Sequence, residues 1–161
     1  MSEAQELHWV FRAHVMDRAG AMTSIASAFS NEGISIDTIV GHGLEERVRA
    51  DGSVVLTFCC TEQKKEVLVR KIKRLSKVVE LEEHPYDSHR LRKSAIIFTT
   101  RRLAPRDVAG EESFLTCELV DTHPNGFTYF LAGSPTELDL ILGALETAGI
   151  VKDIVYSVVG L

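Results

Sequence analysis

The chain has 161 residues, room for one domain or two very small ones. Its 18 basic and 23 acidic side chains leave a net charge of −5, which argues against a nucleic-acid binder, since those carry a basic face. A hydrophobic fraction of 45% suffices for a buried core; no apolar run approaches the ~20 residues a bilayer needs, and the polar stretch Met1 to Leu7 lacks signal-peptide character, so a cytoplasmic protein is expected.

His8 to Val15 is apolar and rich in β-formers, and predicts a first strand. Met16 to Gly20 breaks it. After Gly20 the period changes: Met22, Ile25, Ala26 and Phe29 recur at helical spacing and predict a helix packed on a sheet. Asn31-Glu32-Gly33 ends that helix, with Gly33 as its left-handed cap. Ile34 to Val40 predicts a strand with Ile34, Ile36 and Thr38 on one face. Gly41 to Gly52 reads as a hairpin loop with five charged residues, and Val54 to Cys60 as the returning strand. Thr61 caps a second helix. Its apolar stripe is Leu68, Ile72 and Leu75. Its basic run (Lys64, Lys65, Arg70, Lys71, Lys73, Arg74) reads as a solvated face. Val78 to Leu81 predicts a short closing strand.

Glu82 to Lys93 reads as a linker, with His84 and His89 as solvated linker residues. Beyond it, Ser94 to Thr100 predicts a strand. Leu103 to Phe114 predicts a poor helix, interrupted by Pro105 and Gly110. Thr116 to Asp121 and Phe127 to Ala132 predict two strands joined by a turn at His123 to Gly126, with Asn125-Gly126 as the hairpin signal. Ser134-Pro135-Thr136-Glu137 reads as a capping box. The apolar face Leu138, Ile141, Leu142 and Leu145 follows, and Val151 to Val158 predicts the last strand.

At a shift of 73 residues the halves match by pattern: Thr61 with Ser134, Leu68 with Ile141, Ile72 with Leu145, Val78 with Val151, Leu81 with Ile154. The order βαββαβ, read twice, predicts an α+β protein of two ferredoxin-like units in tandem. The expected boundaries are an N-terminal domain over 1–84, a linker over 85–93 and a C-terminal domain over 94–161.

Residues that carry chemistry are few. There is no P-loop, no nucleophile elbow, no zinc-protease motif and no dinucleotide-binding glycine pattern. Three cysteines without CxxC or Cys/His ligand spacing indicate neither a disulfide framework nor a metal site. Cys59 and Cys60 read as small strand residues facing opposite ways. The first strand-to-helix junction is more informative. A glycine there lets backbone approach a ligand closely. The first N–H groups of a helix lack internal partners and suit an anion such as a carboxylate. Asp17 can accept hydrogen bonds from an ammonium group. Spacing alone fits both an α-amino-acid site and a plain tight turn capped by an aspartate.

At this junction the sequence resembles the ACT domain, through Asp17-Arg18-Ala19-Gly20-Ala21-Met22, Ile25, Phe29 and Asn31-Glu32-Gly33-Ile34-Ser35-Ile36. Within ACT proteins it is most similar to the small regulatory subunit of acetolactate synthase, from about Trp9 to Leu161. The second half carries that distinction: Phe114 to Asp121, Phe127 to Ser134, Leu138 to Leu145 and the ending Ser157 to Leu161. The resemblance implies a non-catalytic subunit without a cofactor of its own. It would activate a large, thiamine-diphosphate-dependent catalytic subunit and confer feedback inhibition by branched-chain amino acids, chiefly valine. It also implies a homodimer through N-terminal ACT units whose sheets join side by side. The effector would lie between Asp17, Gly20, Ala21 and Met22 of one chain and Ser35 and Ile36 of the other. The family usually has asparagine where this chain has Asp17 and Ser35. A hydrogen bond to a charged group contributes about 1.5–3 kcal/mol, so losing one weakens binding by about one to two decades, and an amino acid other than valine stays open. Two other readings remain: a free-standing tandem ACT sensor acting on transcription or another enzyme, and an enzyme in its own right, which the lack of a catalytic set disfavours.

Overall fold

The computed structural model describes residues 5–16, 18–43, 52–108 and 115–160. The chain divides into two compact units, Met1–Tyr86 and Asp87–Leu161. The first contains β1 (Leu7–Val15), α1 (Arg18–Asn31), β2 (Ile36–Gly43), β3 (Gly52–Cys60), α2 (Glu62–Ile72) and β4 (Val78–Pro85). Its sheet is antiparallel, in the order β2-β3-β1-β4. The second contains β5 (Leu91–Thr99), a 3-10 turn (Pro105–Asp107), β6 (Thr116–His123), β7 (Gly126–Gly133), α3 (Pro135–Thr147) and β8 (Val151–Gly160), with sheet order β6-β7-β5-β8. Both units have the ferredoxin-like arrangement of the ACT type.

In the first unit both helices cover one face of the sheet. Alternate residues of the two central strands point into that layer: Phe11, Ala13 and Val15 of β1, and Val54, Leu56, Phe58 and Cys60 of β3. Ile25 and Phe29 of α1 and Leu68 and Ile72 of α2 close over them. Phe11, Phe29 and Phe58 meet edge to face, with centroids 4.7 Å apart for Phe11–Phe58 and 4.8 Å for Phe29–Phe58. In the second unit α3 supplies Leu138, Ile141, Leu142 and Leu145 to a core with Ala95, Ile97, Tyr129 and Leu131.

Several elements depart from the sequence reading. Helix α1 begins at Arg18, not after Gly20. Strand β2 contains a bulge: Ile36 pairs with Phe58 and Thr38 with Thr57, leaving Asp37 as the extra residue. The bulge moves Thr38 off the face of Ile36, and its hydroxyl bonds Thr57 at 2.6 Å. Strand β4 continues through Glu82, Glu83, His84 and Pro85, which read as linker because their charges hide the alternation. His84 is therefore a strand residue opposite Val10. The hairpin turn falls at Pro124-Asn125, closed by His123 opposite Gly126. Gly126 instead answers a close approach: a Cβ there would lie 2.2 Å from the Thr99 carbonyl oxygen and 2.7 Å from the Phe98 ring. Between β5 and β6 the 3-10 turn stands where a helix was expected; residues 109–114 of that stretch lie outside the described residues. Half of the capping box forms. Ser134 Oγ accepts from the Glu137 N–H, while Glu137 Oε1 is buried without a hydrogen-bond partner among the described residues.

Candidate functional site

The junction between β1 and α1 is pinned at its entry, where the Met16 N–H donates to the Lys77 carbonyl oxygen at 2.8 Å. Gly20, Ala21 and Met22 occupy the first turns of α1. Ala21 is fully buried in the core and Met22 packs against it. These two side chains thus face inward, and what the turn offers a ligand is its backbone N–H groups and the positive end of the helix dipole. Ser24 Oγ donates to the Gly20 carbonyl at 3.0 Å and Thr23 Oγ1 to that of Ala19 at 3.3 Å, turning both hydroxyls back on the helix. Asp17 lies outside the described residues.

The other two predicted residues sit at the far end of the same helix. Ser35 is exposed in the segment leading into β2, and Ile36 opens β2 and packs against the core. Helix α1 has 14 residues, hence a length of about 21 Å. One chain therefore does not bring Gly20 and Ser35 together. Strand β2 lies at an edge of its sheet, with one side free of strand pairing within the unit.

A second grouping beside Ser35 was not apparent in the sequence. On the face of the sheet away from the helices, His8 of β1 and Cys59 of β3 are direct cross-strand partners, and bulged Asp37 of β2 reaches the same level. His8 Nε2 lies 3.1 Å from Asp37 Oδ2, and Cys59 Sγ lies 3.9 Å from it. The three donor atoms are within 4.8 Å of one another. The His8 ring stacks on Tyr86 at 3.5 Å. A cleft of about 250 Å³ adjoins the group, lined by Glu6, Ser35, Asp37, Cys59 and Lys64 among others. Burial, then the charges of Asp37 and Glu6, push the Cys59 thiol above its ordinary pKa. Cys60 points the other way, into the core, as adjacent strand residues must. Finding this group from the sequence required the register between β1 and β3 and the bulge, which linear spacing does not carry.

On the same face Glu82 of β4 receives His14 of β1 and His84 of its own strand, each at 3.2 Å. Burial pushes its carboxyl up, but these hydrogen bonds and the Arg12 guanidinium outweigh that and hold it below the usual carboxylate range.

No family model matches the chain. Among curated proteins, the acetolactate synthase small subunit of Mycolicibacterium smegmatis is 22% identical over 137 residues, covering 84% of this chain and 79% of its own. Among solved structures, the acetolactate synthase small subunit of Thermotoga maritima aligns with a TM-score of 0.66 at 16% identity, covering 96% of each chain. The chain is similar to acetolactate synthase small subunits. The likeness to the Thermotoga small subunit spans both units, so the tandem arrangement is shared as well as the single fold. The ACT domain of GTP pyrophosphokinase from Chlorobium tepidum aligns with 50% of this chain at a TM-score of 0.42 and 20% identity. Among the described residues no helix is long and apolar enough to cross a membrane.

Proposed function

We propose that the chain is the regulatory subunit of an acetolactate synthase, binding its catalytic large subunit and making it responsive to an amino acid. The observation that carries this reading is the similarity in sequence and in tandem fold to small subunits of that enzyme over most of the chain. The subunit is non-catalytic and cytoplasmic. The N-terminal unit carries dimerisation and the effector site; the expected linker over 85–93 shrinks to the turn between β4 and β5, since Pro85 ends β4 and Leu91 to Lys93 open β5.

The geometry supports a site shared between two copies. Gly20 and Ser35 lie about one helix length apart in one chain. Antiparallel pairing of β2 with β2 of a second copy places the start of one strand beside the end of the other. Ser35 and Ile36 of the second copy then approach the first turn of α1. The unpaired N–H groups at the start of α1, up to Gly20 and Ala21, bind the effector carboxylate, with Met22 in the next turn beside them. Asp17 and the Ser35 hydroxyl bind its ammonium group, and the side-chain pocket decides which amino acid is accepted.

Thermal denaturation against each of the twenty amino acids tests the site. A selective effector at 100 times its dissociation constant stabilises by about 2.7 kcal/mol. Gly20→Asp puts a negative charge into the anion site and removes the shift. No shift with any amino acid contradicts the effector assignment. Co-purification tests the subunit assignment: capture of acetolactate synthase large subunit supports it, and capture of another enzyme or of a transcription factor instead favours a free-standing sensor.

A further inference from the structure

The structure assigns His8, Asp37 and Cys59 as a binding site for a divalent transition-metal ion of the zinc class, with one imidazole nitrogen, one carboxylate oxygen and one thiolate sulfur as protein ligands. This set of donors is what such an ion selects from among biological ligands.

The geometry is close to closed. Zinc bonds of about 2.0–2.3 Å in a tetrahedron place ligand atoms roughly 3.3–3.8 Å from one another. The Asp37 oxygen already stands 3.1 Å from His8 Nε2 and 3.9 Å from Cys59 Sγ. The His8–Cys59 separation, within 4.8 Å, closes by rotation of half-exposed side chains without movement of the strands. The backbone is prepared for this. His8 and Cys59 are held opposite each other by the β1–β3 ladder, and Asp37, next to core-facing Ile36, lies on the same outer face. Stacking on Tyr86 fixes the imidazole plane. A metal ion would link three strands of one sheet and leave its fourth position to water, facing the cleft of Glu6, Ser35 and Lys64. On binding, the Cys59 thiol releases its proton to solvent.

This inference does not rest on the enzyme partner or on the effector site. The experiment is a titration of the full-length, reduced, metal-free protein with Co²⁺ and then Zn²⁺, read by absorption and calorimetry. Expected are one Co²⁺ per chain, a thiolate-to-cobalt charge-transfer band with tetrahedral visible bands, and displacement by Zn²⁺. Cys59→Ser abolishes the charge-transfer band, and Asp37→Asn and His8→Gln each weaken binding at least ~10-fold. Cys117→Ser, in the other unit, leaves all of this unchanged. The three ligand residues lie outside the hydrophobic core, and circular dichroism verifies that each variant is folded. Absence of a charge-transfer band in the wild type, its survival in Cys59→Ser, or its loss in Cys117→Ser overturns the assignment.

Discussion

At the scale of single residues, Phe58, Gly126 and Asp107 show three different ways in which the fold depends on one side chain. Phe58 is fully buried between Phe11 and Phe29. Phe58→Ala leaves a cavity among rings that cannot collapse, and a cost of about 3–5 kcal/mol is expected in chemical denaturation. Gly126→Ala forces a methyl group onto the Thr99 carbonyl, and about 1–3 kcal/mol of destabilisation is expected by the same measurement. Asp107 receives two bonds from Arg101, at 2.8 and 3.0 Å, and one from the Ala104 N–H at 2.6 Å. These hold its carboxyl well below the ordinary range. Folding lowers this pKa, so the stability it contributes is complete above the unfolded value of about 4 and is lost as pH falls towards the folded value. Denaturation midpoints of the wild type and Asp107→Asn should therefore differ at neutral pH and converge in acid. The apolar residues were legible in the sequence, because periodicity alone names Ile25, Phe29, Leu68 and Ile72 as core. The roles of Gly126 and Asp107 were not, because each depends on a neighbour brought in by folding.

At the scale of elements, the caps and the second helix of each unit were the most legible. The helix starts Glu62 and Pro135, and the strand starts Val78 and Val151, keep the 73-residue shift (135 minus 62, 151 minus 78). Their caps act alike: Thr61 Oγ1 accepts from the Lys64 N–H and Ser134 Oγ from the Glu137 N–H, both at 3.4 Å. Thr61→Ala and Ser134→Ala should each cost about 1 kcal/mol, read as a lowered thermal midpoint. The repeat fades towards the first strands, Leu7 and Leu91, which are 84 residues apart (91 minus 7). The connection from β5 to β6 is shorter than that from β1 to β2, and its described part contains a 3-10 turn where the first unit has α1. Pro105 and Gly110 announced that interruption. The bulge at Asp37 was illegible, because Ile36-Asp37-Thr38 alternates like any regular strand. Yet it removes Thr38 from the core face and leaves Asp37 and Thr38 both on the side of His8 and Cys59.

At the scale of the whole molecule, each unit completes its own core and presents an edge strand, β2 in the first and β6 in the second. The candidate effector residues were legible as two short stretches around Gly20 and Ser35. That they lie at opposite ends of one helix was implicit in its length, and this separation is the physical reason to expect a second copy in the site. The proposed regulation of acetolactate synthase, through an amino acid bound in the N-terminal unit, is a property of the assembled complex. The most direct measurement is the rate of acetolactate formation by a purified catalytic subunit, with and without this chain, across the twenty amino acids. Expected are a rise in rate on adding the chain, and an inhibition by one or a few amino acids that Gly20→Asp removes. A rate that is the same with and without the chain, at concentrations well above those of the catalytic subunit, would contradict it.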